Sequence, residues 1–146
     1  MMSMKCKYAI KALVRLGQRF GQGYMQTKDI SEKEQIPKKF LEQILLELKH
    51  ARMVNSKQGL GGGYCLVKHP KDISVADVYR LFDGAIALVP CVSLNFYEKC
   101  DDCKSENDCM FRPEFIKIRE GAREVMSKTS IHSFLQHAKK QSKKKK

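Results

Sequence analysis

The residues best suited to chemistry in this chain of 146 residues are four clustered cysteines. Cys91, Cys100, Cys103 and Cys109 lie in residues 83–110, a segment without a sustained hydrophobic period that we call the cysteine loop. No cleavable apolar segment follows the polar N-terminus, so we expect a cytoplasmic protein with reduced thiols. In that compartment a cysteine cluster indicates metal binding or redox chemistry, and four thiolates can hold an iron–sulfur cluster.

Other chemistries also fit these cysteines. Zinc accepts four thiolates, and Cys100 and Cys103 have the spacing of a common zinc half-site, although the remaining spacings do not repeat it. A thiol–disulfide switch is a third possibility, because nearby basic side chains would lower thiol pKa values while adjacent aspartates would raise them. A loop that binds nothing is the fourth. The cysteine spacing alone leaves all four open.

Composition restricts the kind of protein to which this loop can belong. The chain is 42% hydrophobic and 30% charged, as folded globular domains are. No segment approaches the roughly 20 apolar residues of a membrane span. The net charge is +12, and half of it belongs to six lysines in residues 139–146, which are predicted to form a disordered tail. The rest of the chain is still positive and favours an anionic partner, either nucleic acid or a membrane surface.

The histidines give no sign of catalysis. His50, His69, His132 and His137 are scattered along the chain, and no motif pairs a nucleophile with a base. We therefore expect that the protein is not an enzyme.

Hydrophobic periodicity predicts a mainly helical chain. The predicted helices cover residues 4–20, 27–35, 37–51, 74–82 and 113–128, with a short last helix from residue 129 or 130. Thr27 is the predicted N-cap of the second helix, and Pro37 opens the third. Residues 53–57 and 64–67 have the composition of short strands, and the glycine-rich run 59–63 between them predicts a hairpin. Two short helices with a tight break, followed at once by a hairpin, predict a winged helix-turn-helix.

The long helix after the cysteine loop carries an apolar seam. Phe111, Phe115, Ile118, Ala122 and Val125 follow one another in steps of four and three residues, as the core positions of coiled coils do. This seam predicts a homodimer formed through residues 111–128. The predicted organisation is a DNA-binding winged helix-turn-helix, a sensor loop, a dimerisation helix with a terminal helix, and a lysine-rich tail. These parts cover residues 1–82, 83–110, 111–138 and 139–146.

The second helix of a helix-turn-helix is the recognition helix, which here is the third predicted helix of the chain. It enters the major groove, and its N-terminal residues meet base edges. Glutamine can pair there with adenine and glutamate can accept a hydrogen bond from cytosine, whereas lysines at the helix start meet phosphates. The wing glycines allow the backbone to approach the minor groove closely. We therefore predict double-stranded DNA, and no membrane, as the partner. The predicted contact residues are Thr27, Pro37, Lys38, Lys39, Phe40, Glu42, Gln43, Lys57, Gln58, Gly59, Gly61 and Gly62.

Four sequence segments together resemble a known family. They are Lys7-Tyr8-Ala9-Ile10, Asp29-Ile30-Ser31-Glu32, Phe40-Leu41-Glu42-Gln43 and the wing run Gly59-Leu60-Gly61-Gly62-Gly63-Tyr64. Over residues 3–138 the chain resembles the bacterial winged-helix regulators that include IscR, NsrR and CymR (the Rrf-two-type family). The resemblance implies a homodimeric transcriptional repressor on a two-fold symmetric operator, in which Glu42 takes part in base recognition.

The resemblance also bears on the cysteines. Cluster-binding members often have a C-x5-C-x5-C arrangement, and here Cys103 and Cys109 keep one of the two spacings while Cys91 lies further upstream. Arg112 stands where one iron-ligating relative has a histidine ligand. A fourth ligand would therefore come from Cys100, a partner chain or a small molecule. Two alternatives to a regulator controlled by a cluster or by thiol redox state stay open. The protein could be a zinc-binding winged-helix module for protein interactions, or a regulator without cysteine sensing.

Overall fold

The computed structural model describes residues 1–144, and the last two residues of the predicted tail, Lys145 and Lys146, lie outside the described residues. Six helices and one two-stranded hairpin follow each other within that range, which confirms the mainly helical class. They are α1 (Met4–Gly17), α2 (Thr27–Glu34), α3 (Lys38–His50), β1 (Val54–Lys57), β2 (Gly63–Leu66), α4 (Val75–Phe82), α5 (Arg112–Lys128) and α6 (Ile131–Lys144). Over the same residues, no helix combines the length and apolarity needed to cross a lipid bilayer.

The hydrophobic core lies where α1, α2 and α3 meet. Leu13 of α1, Ile30 of α2, and Leu41 and Leu48 of α3 have no solvent exposure. The buried residues of α3 recur at helical spacing, so one face of this helix is committed to the core and the other is left for solvent. Ile131 at the start of α6 belongs to the same cluster, so the terminal helix packs against the domain that begins with α1.

The wing is an antiparallel hairpin that also pairs with the segment before α2. Met25 and Tyr64 exchange two backbone hydrogen bonds of 2.8 Å, which hold β2 against the helix-turn-helix. Because this pairing keeps the chain extended, Gln26 and not Thr27 is the N-cap of α2. The prediction that Thr27 caps the helix was wrong, and Thr27 is the first helical residue.

The terminal helix extends further than the sequence predicted. α6 continues to Lys144, so residues 139–144 are helical and the prediction of a disordered tail over them was wrong. Lysine and glutamine are good helix formers, no glycine or proline interrupts the run, and positive charge at a helix C-terminus is favourable. The first turns of α6 are anchored on α1, where Ile131 and Leu135 fill the space beside Gly17.

Candidate nucleic-acid interface and cysteine cavity

The first turns of α3 present a polar face to solvent. Pro37, Lys38, Lys39, Glu42 and Gln43 are exposed, while the opposite face of this helix lies in the core. Within residues 1–144, neither of the two lysines forms a salt bridge, and the glutamate forms none either. The face therefore offers free donors and acceptors of the kind that base edges and phosphates require.

Two of the predicted contact residues, Phe40 and Thr27, are only partly exposed. The ring of Phe40 packs edge-on against Tyr8 of α1, with ring centroids 5.8 Å apart. The contact supports the start of α3, and the partial burial of Phe40 leaves only part of its side chain accessible to a ligand. The sequence pattern gave Phe40 the same role as its exposed neighbours because the contact with Tyr8 is made across the fold.

Polar contacts fix the helices beneath this face. The Nε and Nη2 atoms of Arg15 on α1 both lie 2.6 Å from Oε1 of Glu34 at the end of α2. Lys11 donates to the backbone oxygen of Glu34 at 3.1 Å. Lys5 of α1 pairs with Glu47 of α3 at 2.5 Å. α1 thus has polar contacts with both helices of the helix-turn-helix, in addition to the core that the three helices share. None of these pairs could be derived from sequence spacing, because each joins two different helices.

The wing tip exposes Lys57, Gln58 and Leu60. Its first strand, β1, is linked to α3, because Lys49 of α3 donates from Nζ to the Ser56 hydroxyl at 2.6 Å. The hydrogen bond makes the wing and α3 neighbours on one side of the molecule. The predicted contact residues of the wing and of α3 are thus carried by two linked elements.

The turn between the strands depends on its glycines. Gly59 and Gly61 have φ angles of +88° and +70°, a region that residues with a side chain rarely adopt. A Cβ atom on Gly62 would overlap the backbone oxygen of Lys57. The glycines therefore allow a compact turn at the tip of the wing.

All four cysteines of the cysteine loop line one cavity of about 570 Å³. Burial, and next a hydrogen bond with Cys91, raises the pKa of Cys100 to about 11. Burial, and next the charge of Cys109, raises the pKa of Cys103. All four are free thiols. The structure thus brings together the four side chains that the sequence singled out, as two neighbouring pairs.

The thiols are not gathered around a single point. Within the described residues 1–144, no group of three or more His, Cys, Asp or Glu side chains is arranged to hold one metal ion. A tetrahedral zinc site with Zn–S bonds of about 2.3 Å needs sulfurs about 3.8 Å apart. In a four-iron cluster each thiolate bonds to a different iron, so the ligands surround a wider space. Four cysteines around one cavity fit such a cluster better than they fit a single zinc ion.

Side chains on both sides of the cavity brace the loop. The Tyr97 hydroxyl donates to Glu106 at 2.5 Å, and this hydrogen bond raises the pKa of Tyr97. Glu106 in turn lies 3.6 Å from the guanidinium of Arg112 at the start of α5. Arg119 of α5 donates from Nη1 to the backbone oxygen of Val92 at 2.6 Å. The residue next to Cys91 is therefore held directly by α5.

The seam predicted on α5 is exposed in the single chain. Phe111, Ile118 and Val125 are 62%, 49% and 65% exposed, and no residue of this helix is buried. The rings of Phe111 and Phe115 stack with centroids 6.3 Å apart. A contiguous apolar stripe that its own domain leaves uncovered is typical of a protein interface.

Comparison with known sequences identifies transcriptional regulators as relatives of this chain. Residues 2–137 match the family Rrf2, described as iron-dependent transcriptional regulator. An rrf2-like HTH-type transcriptional regulator of Rhodobacter capsulatus is 40% identical over 121 residues, which are 81% of this chain and 81% of that protein. The HTH-type transcriptional regulator CymR of Bacillus subtilis is 26% identical over 129 residues, 88% of this chain and 85% of CymR.

Solved structures agree with the sequences. The structure of CymR, the global cysteine regulator of B. subtilis, has a TM-score of 0.76 at 26% identity and covers 94% of this chain and 97% of its own. The structure of T. potens IscR has a TM-score of 0.72 at 28% identity, over 94% of this chain and 88% of IscR. These relatives are regulators, which confirms the prediction that the protein is not an enzyme. With family, relatives and fold in agreement, the chain belongs to the Rrf2 family of DNA-binding transcriptional regulators.

Proposed function

We propose that the protein is a homodimeric transcriptional repressor on a two-fold symmetric operator, controlled by an iron–sulfur cluster in the cysteine cavity. Its main support is that four cysteines line one cavity directly before the exposed seam of α5. The description of the family names iron as well. A bacterial regulator of this kind acts in the cytoplasm, where the chromosome lies.

In the proposed complex α3 lies in the major groove. Glu42 and Gln43 meet base edges, while Lys38 and Lys39 neutralise phosphates and supply a salt-dependent part of the affinity. Residues 57–62 of the wing approach the minor groove of the adjacent turn. The exposure of these side chains and the link between Lys49 and Ser56 support this division of roles.

The dimer forms through α5. Two copies of the seam from Phe111 to Val125 would cover each other and remove its apolar surface from water. Crossing of the two helices then places one winged-helix domain on each side of a two-fold axis. The operator accordingly consists of two inverted half-sites.

Cys91, Cys100, Cys103 and Cys109 would hold the cluster, which when bound supplies a centre sensitive to oxidants and to iron supply. The chain's own part is to transmit the state of the loop. Arg119 joins the backbone beside Cys91 to α5, so a rearranged loop shifts the dimer helix. The spacing of the two recognition helices must match the half-sites, so such a shift changes the affinity for DNA.

A thiol switch in the same loop is the second candidate function. It is favoured by the neighbouring pairs Cys91 and Cys100, and Cys103 and Cys109, each of which could form a disulfide by losing two electrons and two protons to an oxidant. An oxidised form of Staphylococcus aureus CymR has been solved, and it is 25% identical to this chain with a TM-score of 0.69.

Replacing Cys103 and Cys109 together by serine tests the sensor. We expect wild-type protein purified without oxygen to contain iron and sulfide and to absorb visible light, and the double variant to contain neither. The variant should remain a folded dimer that binds DNA, because both thiols lie outside the core cluster. It should no longer respond to oxidants or chelators, whereas Cys65→Ser, outside the loop, should still respond.

Each other outcome has a distinct meaning. If the purified protein contains zinc and no iron, the result favours the zinc-binding module. If it is colourless and its affinity for DNA changes when the thiols are oxidised, the result favours the thiol switch. A double variant that responds like the wild type contradicts both kinds of sensor.

Glu42→Ala tests the DNA contact. Duplexes selected from a random pool by the wild-type protein should show two inverted halves. Loss of one base contact should reduce discrimination at one position of each half-site by about 1–3 kcal/mol. Glu124→Ala, on the exposed surface of α5, is the control and should leave the discrimination intact. If the Glu42 variant and the wild type discriminate between bases equally well, Glu42 does not contact a base.

A further inference from the structure

Besides the cysteine cavity, the structure has a small pocket lined by arginines. It lies where the end of α4, the first part of the cysteine loop and α5 meet. Arg80, Arg119 and Arg123 line it together with Ser93, and it shares no lining residue with the cysteine cavity. Its volume of about 20 Å³ holds about one water-sized group, such as a single oxygen atom of an anion. Three arginines around so small a space bring several positive charges close together.

The acidic groups around this pocket are already engaged. Glu120 accepts from Arg123 at 3.0 Å and from Arg119 at 2.6 Å, and these hydrogen bonds, that of Arg123 first, lower the pKa of Glu120. Asp77 lies 3.9 Å from Arg80 and is half exposed. Among the residues that the structure describes, the three arginines therefore face only two carboxylates. Glu120 is shared by Arg119 and Arg123, and Asp77 is more distant and half exposed to solvent, so the pocket has an excess of positive charge.

Two buried polar groups beside the pocket have hydrogen-bonding capacity left. The Nε atom of Arg119 is buried without a partner within the described residues, and the side chain as a whole is only 13% exposed. Ser93 is 7% exposed, and its hydroxyl oxygen accepts from the Phe96 amide at 3.0 Å, which leaves its own proton free to donate. Buried donors without acceptors are costly and indicate a missing partner.

We propose that this arginine pocket binds a small oxyanion, a phosphate or carboxylate group. Guanidinium groups bind such oxygens through charge-assisted hydrogen bonds, and three arginines line this pocket, which has room for one oxygen of the anion. The anion would satisfy the excess charge and accept from the Ser93 hydroxyl. This site is separate from the iron–sulfur centre and does not depend on it.

The position of the pocket gives the anion a regulatory effect. Successive residues of a helix are turned by about 100°, which puts Arg119 and Arg123 beside the seam of Ile118 and Ala122 and not on it. The pocket therefore stays open when two α5 helices pair through the seam. An anion held there would join α4 of the DNA-binding part to the loop and to α5, and so stiffen the connection that carries the signal.

Titration calorimetry with inorganic phosphate, and separately with acetate, at constant ionic strength tests the site. We expect saturable binding of one anion per chain. Arg80→Gln and Arg123→Gln should each weaken it about tenfold or more, because each removes a charged donor while keeping the contact of Arg119 with Val92. Arg19→Gln, an exposed arginine after α1, is the matched control and should bind as the wild type does.

A comparison of the two anions identifies the natural class, since tighter phosphate binding points to a phosphorylated ligand and tighter acetate binding to a carboxylate. Hydrogen exchange of the amides in residues 92–96 provides a second measurement on the wild type and should slow when phosphate is added. The proposal is overturned if the wild type shows no saturable binding, or if Arg19→Gln weakens binding as much as the pocket variants do. Loss of iron or of DNA binding would not affect either result.

Discussion

The DNA-binding part, residues 4–82, and residues 83–128, which we propose to be the sensor and call the sensing part, are stabilised in different ways. The first has a dense core to which α1, α2, α3 and α4 all contribute. In the second only Cys91, Val92 and Ser93 are buried, and α5 has no buried residue. The sensing part is more than half as long as the DNA-binding part, yet it has almost no core of its own.

This difference supports the proposal that residues 83–128, and not the winged helix, respond to a signal. A domain with a dense core and cross-helix ion pairs keeps one shape, whereas a loop held by a few polar contacts opens at low cost. In the proposed dimer the surface of the helix-turn-helix is therefore preformed, whereas the cysteine loop would take its final order from its ligand and from the second chain. Three variants test this contrast.

The largest effect is expected for Gly63→Ala in the wing. A Cβ atom there would overlap the backbone oxygen of Met25, and the φ of +130° is unfavourable for alanine. We expect the free energy of unfolding to fall by about 3 kcal/mol, measured by urea unfolding. Gly59→Ala, with a φ of +88° and nothing within 4 Å, is the control and should cost only about 1 kcal/mol. Equal costs would mean that the wing does not dock on the segment before α2.

The second effect concerns the sensing part. Ile118→Glu places a charge in the middle of the exposed seam. The monomer has little packing to lose at this position, so its unfolding curve should barely change. Burying an unpaired charge is costly, so the dimer dissociation constant should rise about 100-fold or more in sedimentation equilibrium. Ser127→Glu, on another face of α5, should leave the dimer intact. A fully dimeric Ile118 variant would show that the seam is not the interface.

The smallest expected effect is a pH dependence of the free energy of unfolding, caused by a thiol in the core of the DNA-binding part. Burial first, and then the charge of Asp83, raises the pKa of Cys6 from 9.0 to about 12. Above pH 9 the unfolded chain loses this proton while the folded chain keeps it, so stability is fully present below pH 9 and falls as pH rises toward 12. The slope from this thiol should be about 1.4 kcal/mol per pH unit at most.

Cys6→Ala should remove that slope, measured by urea unfolding between pH 8 and 11. Cys65→Ala, in the wing, should retain it. A slope that persists in the Cys6 variant would show that another group causes the alkaline loss of stability.

Much of the DNA-binding part could be predicted because its signals are local. The apolar spacing of Leu41 to Leu48 gives both the helix and its buried face, and the glycines of residues 59–63 give the turn. Thr27 was misassigned because its neighbour Met25 pairs with a strand far along the chain. The tail was misassigned because lysine content indicated solvation but not that α6 would already be anchored on α1.

The sequence alone determined which residue types lie near each other along the chain: four cysteines in one loop, a polar face on α3 and an apolar seam on α5. Only the tertiary structure decided that the cysteines share a cavity, that Arg119 holds the backbone beside Cys91, and that three arginines converge. The physical reason is that periodicity and turn propensity act over a few residues, whereas these contacts join segments that meet only when the core has formed.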